Sequence, residues 1–148
     1  MKIYFATDHA GLGLKKVLKE FVEDLGHVVE DLGAHELDES DDYPDFISIA
    51  AEKVSSNPTD RAIVLGGSGQ GEAIVSNRFK NVRAVVYYGG NKEVIKLSRE
   101  HNDANILSIG ARFISAEEAK EVVKIWLETP FSGEERHKRR IEKIEKYG

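Results

Sequence analysis

The chain has 148 residues, enough for one domain with one hydrophobic core. Apolar residues make up 41% and charged residues 32%, the balance of a water-soluble globular fold, and a net charge of −5 speaks against a general nucleic-acid binder. There is no cysteine, which excludes disulfides, thiolate metal sites and a thiol base. No apolar run approaches a membrane span, and the N-terminus enters Ile3-Tyr4-Phe5-Ala6 without the apolar core of a signal peptide, so a cytoplasmic protein is the expectation.

Residues 3–7 read as a short apolar strand. Leu14, Val17, Leu18, Phe21, Val22 and Leu25 then recur at helical spacing, marking one face of a helix that Gly26 stops. Residues 27–31 form a second strand and residues 32–42 a polar loop. Pro44 stands near the start of a helix running to about Ser55, with Phe46, Ile47, Ile49, Ala50 and Val54 as its apolar set. After the turn at Asn57-Pro58, residues 62–65 form the third strand. A glycine turn and a third helix follow. Residues 82–87 are the fourth strand, 92 to about 100 a helix, and 105–109 the fifth strand. Ser115 to Glu118 is a capping box for a helix that buries Ala119, Val122, Val123, Trp126 and Leu127. Ser132-Gly133-Glu134-Glu135 repeats the box and opens a last helix to about Tyr147.

No internal repeat, low-complexity tract or linker interrupts this pattern, so residues 1–148 are expected to form a single domain. Apolar strands alternating with amphipathic helices imply an α/β fold, a five-stranded parallel sheet covered on both faces. Ligands in such folds sit beyond the carboxyl ends of the strands. The polar residues there are Asp8-His9, the turn from Gly66 to Glu72, Tyr88-Gly89-Gly90 and Gly110-Ala111-Arg112. The last helix is too polar to gain much from its own core, which points to another surface, such as a second subunit.

Gly66-Gly67-Ser68-Gly69-Gln70-Gly71-Glu72 is the richest segment. A glycine turn between strand and helix exposes backbone N–H groups that suit an anion. The segment fails the dinucleotide fingerprint, because Glu72 replaces the final glycine, and it lacks the Gly-Lys-Ser/Thr end of a P-loop. Glu72 fits a dipole-favoured acid at a helix start, and equally a base beside amides that stabilise an oxyanion. Asp8 fits a helix cap as well as a site residue. His101 lies at the amino end of the fifth strand, so a catalytic His101 would serve a neighbouring subunit's site. Arg136 and Arg140 share one helix face, a spacing that suits a phosphate monoester as well as a solvated surface. No histidine pair has metal-ligand spacing, so no metal is expected.

Five segments carry a resemblance that covers essentially the whole chain. They are Thr7-Asp8-His9-Ala10-Gly11, Asp42-Tyr43-Pro44-Asp45-Phe46, the glycine turn, the segment from Ser98 to Asn105, and Arg136-His137-Lys138-Arg139-Arg140. In them the chain resembles the ribose-5-phosphate isomerase B family, shared with the bacterial galactose-6-phosphate isomerase subunits. The resemblance implies a Rossmann-like αβα sandwich. It implies cofactor-free and metal-free interconversion of an aldose and a ketose phosphate through a cis-enediol(ate), with ribose 5-phosphate and ribulose 5-phosphate as the leading pair. A six-carbon sugar phosphate such as allose or galactose 6-phosphate, or a sugar-phosphate-binding module without catalysis, is the alternative.

Many members carry a cysteine base where this chain has Gly66. The chain matches the branch with a terminal glutamate, so by resemblance Glu72 is the base and Ser68 orients it. His101 resembles the acid that opens the furanose ring, with Asp8 opposite. Asn102 and Tyr43 resemble sugar contacts, and His9, Arg112, Arg136 and Arg140 resemble a phosphate clamp. The amides of Gly67, Gly69 and Gly71 are expected to face the enediolate. The family places each site between two subunits, so a homodimer or tetramer is expected, with the His101-Asn102 segment and the last helix supplied by the partner. No nucleic acid or membrane is implied.

Overall fold

The computed structural model describes residues 1–148. Five strands, β1 (Lys2–Thr7), β2 (Val28–Asp31), β3 (Arg61–Gly66), β4 (Ala84–Tyr87) and β5 (Ile106–Gly110), form one parallel sheet in the order β2-β1-β3-β5-β4. Every residue of β3 and β5 is buried, because central strands of a parallel sheet are covered on both faces. The edge strands β2 and β4 are only partly buried.

Six helices complete the fold: α1 (Leu12–Asp24), α2 (Tyr43–Ser56), α3 (Gln70–Ser76), α4 (Glu93–Asn102), α5 (Ala116–Glu128) and α6 (Glu135–Ile144). On one face, Leu18 and Val22 of α1, Ile95 of α4 and Val122, Val123 and Trp126 of α5 pack on Ile3, Phe5, Ile63 and Leu107. On the other face, Ile47, Ala50, Ala51 and Val54 of α2 pack on Tyr4, Ala6, Ala62 and Val64. The αβα sandwich expected from the sequence is the observed fold. No helix is long and apolar enough to cross a membrane.

Strand order and register place the site. The chain leaves β1 for β2 on one side and returns to β3 on the other, so a crevice opens past the carboxyl ends of β1 and β3. Thr7 pairs with Leu65, Leu65 with Ile109, and Gly66 with Gly110. Asp8, the glycine turn and Arg112 therefore leave the sheet at one level. Lys15, buried under the loop after β2, donates to Asp31 Oδ1 at 2.7 Å and to the Ala34 carbonyl at 2.6 Å. Lys19 donates to Asp31 Oδ2 at 2.9 Å and the Gly33 N–H to Oδ1 at 2.9 Å. Burial alone raises the Asp31 pKa, but these donors overcome it and hold the carboxyl at about 2.

Local expectations fail in four places. The fourth strand starts at Ala84, not Val82, because Asn81 has φ 66° and the Arg83 N–H donates to the Asn105 side chain at 2.8 Å instead of the ladder. Ile49 is exposed, and Ala51 takes its place on the buried face of α2. Ser115 accepts from the Glu118 N–H at 3.2 Å, but Glu118 Oε2 takes the Tyr87 hydroxyl at 2.6 Å, so only half of that box forms. The box at Ser132 does not form. The chain turns at Gly133 (φ 72°), Ser132 accepts from the Glu134 N–H at 3.3 Å, and α6 begins without a side-chain cap.

Candidate active site

An open cleft lies beyond the carboxyl ends of β1, β3 and β5. Gly67, Ser68 and Gly71 line it on one side, Tyr43 and Phe113 form walls, and Asp8, Glu72 and Arg112 supply charge. Glu72 sits in the first turn of α3 and is only 4% exposed. Desolvation raises its pKa, and the nearby negative charge of Asp8 raises it further against the opposing effect of its own N–H. A carboxylate so placed binds a proton more tightly than an exposed one, as a general base near neutral pH requires.

The turn's glycines have separate reasons. A side chain at Gly66 would coincide with the Glu72 carboxylate: an ideal Cβ there overlaps Oε1 and lies 2.6 Å from Oε2. The bare backbone of Gly66 is the space in which that carboxylate rests. At Gly71 a Cβ would stand 2.5 Å from the Tyr43 hydroxyl, so Gly71 admits Tyr43 to the cleft. Gly69 has φ 80°, the left-handed conformation that turns the chain into α3. Arg112 lies over Gly67, with Nη1 3.0 Å from the position of a Cβ there.

The turn is pinned from β5. Ser108 Oγ donates to the Gly69 carbonyl at 2.6 Å, and the N–H groups of Ala111 and Arg112 donate to Gly66 and Gly67 at 2.8 and 3.1 Å. The N–H groups of Gly67, Ser68, Gly69 and Gly71 donate to no group within the chain. Gly67, Ser68 and Gly71 line the cleft together with Glu72, while Gly69 packs against β5. Ser68 does not behave as expected: its Oγ accepts from the Gln70 N–H at 3.3 Å and makes no hydrogen bond to Glu72. The short reach from turn to helix favours that local bond.

Asp8 both caps and faces the cleft. Its Oδ1 accepts the Ala10 N–H at 2.9 Å at the start of a single 3-10 turn (His9–Gly11). His9 Nδ1 lies 2.6 Å from Asp41 Oδ1, a partner the sequence did not signal because Asp41 sits in an acidic loop. That hydrogen bond is the main cause of a raised His9 pKa, which burial and Arg112 partly oppose. Asp8, His9 and Asp41 are the one grouping of metal-ligating side chains, with donor atoms within 4.8 Å of one another. Two ligands of one zinc ion in tetrahedral geometry stand about 3.3 Å apart. At 2.6 Å, the His9–Asp41 contact is a hydrogen bond with no room for an ion between its atoms.

The remaining expected residues gather elsewhere. His101 and Asn102 end α4, before β5 and hence at the opposite end of the sheet from Glu72. The His101 ring stacks on His137 of α6, with centroids 4.3 Å apart and planes 14° apart. Desolvation lowers the His137 pKa, and the positive surroundings of His101, Arg136 and Arg140 lower it further. His137, to which the sequence assigns no role, is the one buried residue of α6; Arg136 and Arg140 are exposed. The molecule thus carries two clusters: Glu72 and open amides at one end of the sheet, His101 and His137 with the exposed arginines of α6 at the other.

A Rossmann-like sandwich with a buried carboxylate and open amides beyond its strand ends is the architecture of a small-molecule enzyme. The model of the ribose/galactose isomerase family matches residues 3–144, and the chain belongs to that family and so to the isomerases. Ribose-5-phosphate isomerase B of Mycolicibacterium paratuberculosis is 39% identical over 99% of this chain and 91% of its own length. The crystal structure of ribose-5-phosphate isomerase B from Mycoplasma genitalium with bound ribulose-5-phosphate superposes with a TM-score of 0.94 at 37% identity, covering 99% of this chain and 95% of that one. The Clostridium thermocellum ribose-5-phosphate isomerase B gives a TM-score of 0.91 at 42% identity, covering 99% and 96%.

Proposed function

We propose that the protein interconverts ribose 5-phosphate and ribulose 5-phosphate through a cis-enediolate, with Glu72 moving the proton between C2 and C1. The observation that carries this reading is the Glu72 carboxylate, buried over the bare backbone of Gly66 beside open amides. From the aldose, Glu72 takes the C2 proton as charge moves onto the C1 oxygen. The amides of Gly67, Gly69 and Gly71 meet that oxygen, where each such donor is worth about 3–4 kcal/mol of barrier. Glu72 then returns the proton to C1 while the C2 hydroxyl proton passes to the C1 oxygen, which leaves a C1 hydroxyl and the C2 ketone. Tyr43 contacts the sugar, and Asp8 faces the ring oxygen end.

The active assembly is a homodimer, alone or within a tetramer, whose sites are each built from two subunits. Ring opening by His101, the Asn102 sugar contact and the Arg136–Arg140 clamp come from the partner, while His9 and Arg112 add positive charge from the same subunit as Glu72. The separation of the two clusters supports this. A five-residue strand such as β5 spans about 16 Å, farther than one pentose reaches. The test is the initial rate of ribulose 5-phosphate formation with a chelator present, for native protein and Glu72→Gln. Chelator-resistant turnover that falls by about 10²–10⁴-fold in the variant supports the reading. No turnover by the native protein on ribose 5-phosphate overturns it.

A further inference from the structure

We propose that Asp41 is a positioning residue for this reaction, fixing the His9 ring so that its Nε2 is presented to an anionic oxygen of the substrate. The inference rests on the sugar-phosphate reading above. Asp41 comes from the loop before α2, and its side chain is only 8% exposed. One oxygen, Oδ1, meets His9 twice, accepting the main-chain N–H at 3.2 Å and meeting ring Nδ1 at 2.6 Å. The two contacts fix the ring's position and direct Nδ1–H inward. Nε2 then makes no hydrogen bond within the chain, and the ring is 25% exposed.

The second oxygen, Oδ2, is buried without a partner. A carboxylate that merely tied the loop to β1 would gain by satisfying both oxygens, since a buried unpaired acceptor is costly. What offsets that cost here is the pairing of Oδ1 with the ring, which strengthens when His9 is protonated. Asp8 Oδ2 lies 4.0 Å from Nδ1, so two carboxylates flank one imidazole. Asp38, further out on the same loop, adds a third negative group, and Arg112 is the opposing cation. The sum favours imidazolium, a donor at Nε2 matched to a phosphate dianion or an ionised sugar oxygen.

The experiment compares native protein, Asp41→Asn, His9→Gln and the double variant. The amide of Asp41→Asn can still accept the His9 N–H, so the loop anchor is preserved; Asp41→Ser is the second variant if that one misfolds. Two readings are taken: the His9 imidazole titration by NMR, and kcat and KM for ribose 5-phosphate. The expected result is a His9 pKa above its ordinary value in native protein that drops in Asp41→Asn. KM rises by about tenfold with kcat changed far less, and no further loss appears when Asp41→Asn is added to His9→Gln. An unchanged His9 titration overturns the proposal, as does an Asp41→Asn penalty that persists in full in the His9→Gln background. Because the titration needs no turnover, it decides the Asp41–His9 pairing even if the native protein fails to isomerise this substrate.

Discussion

Replacing Gly66 by alanine tests whether Glu72 acts from where it stands. The new methyl would occupy the space of Glu72 Oε1 and lie 2.6 Å from Oε2. Gly66 has no room to retreat, because it is paired with Gly110 on β5 and its carbonyl accepts the Ala111 N–H at 2.8 Å. The carboxylate must therefore swing away, at a rotamer cost of only about 0.5–1.5 kcal/mol. The functional cost is larger, since displacing a reacting group by about 1 Å costs about 10²-fold and losing a general base about 10²–10⁴-fold. We expect kcat for ribulose 5-phosphate formation to fall by at least about 10²-fold, with KM changed little because the phosphate contacts are untouched. Melting temperature checks that the fold survives. A kcat within about threefold of native, in a folded variant, refutes the assignment of Glu72 as the base.

Other consequences are equally direct. Glu72 has a raised pKa, so its proton stabilises the fold below the unfolded carboxyl value, and that contribution is lost as pH rises through the higher folded value. Glu72→Gln should therefore melt above native protein at pH 7 while losing turnover. Asp8→Asn removes a charge that raises the Glu72 pKa, so the acid limb of the kcat/KM profile should move to lower pH. Asp31, held at about 2 against an ordinary 3.8, contributes stability above the unfolded pKa that is lost as pH falls toward 2. The shift corresponds to about 2 kcal/mol, and urea unfolding of Asp31→Asn should show that loss at pH 7 and little difference at pH 2. Mixing Glu72→Gln with His101→Ala subunits should restore about one quarter of native activity, because half the dimers are mixed and each has one intact site. No recovery after confirmed subunit exchange would show that the site lies within one chain.

Much of this protein was legible without coordinates. Periodicity placed each helix and strand to within a few residues, because burial of one face requires apolar residues at fixed spacing. The glycine turn stood out as the richest segment, and the place of His101 at the amino end of its strand was readable from element order alone. What local rules missed has one physical cause: the partners are distant in sequence. Asp41 and His9 are 32 residues apart, and Tyr87 draws Glu118 out of its capping box across 31. The stacking of His137 under His101 likewise needed α6 folded against α4. The reason for glycine at position 66 appears only once the Glu72 carboxylate is seen resting on that backbone, since a strand residue and a helix residue compete there for one volume. Sequence alone therefore determined the elements, the sandwich and the chemical types available. Tertiary packing decided which side chains share a proton, which share a space, and that Glu72 and the His101–His137 pair stand at opposite ends of one sheet.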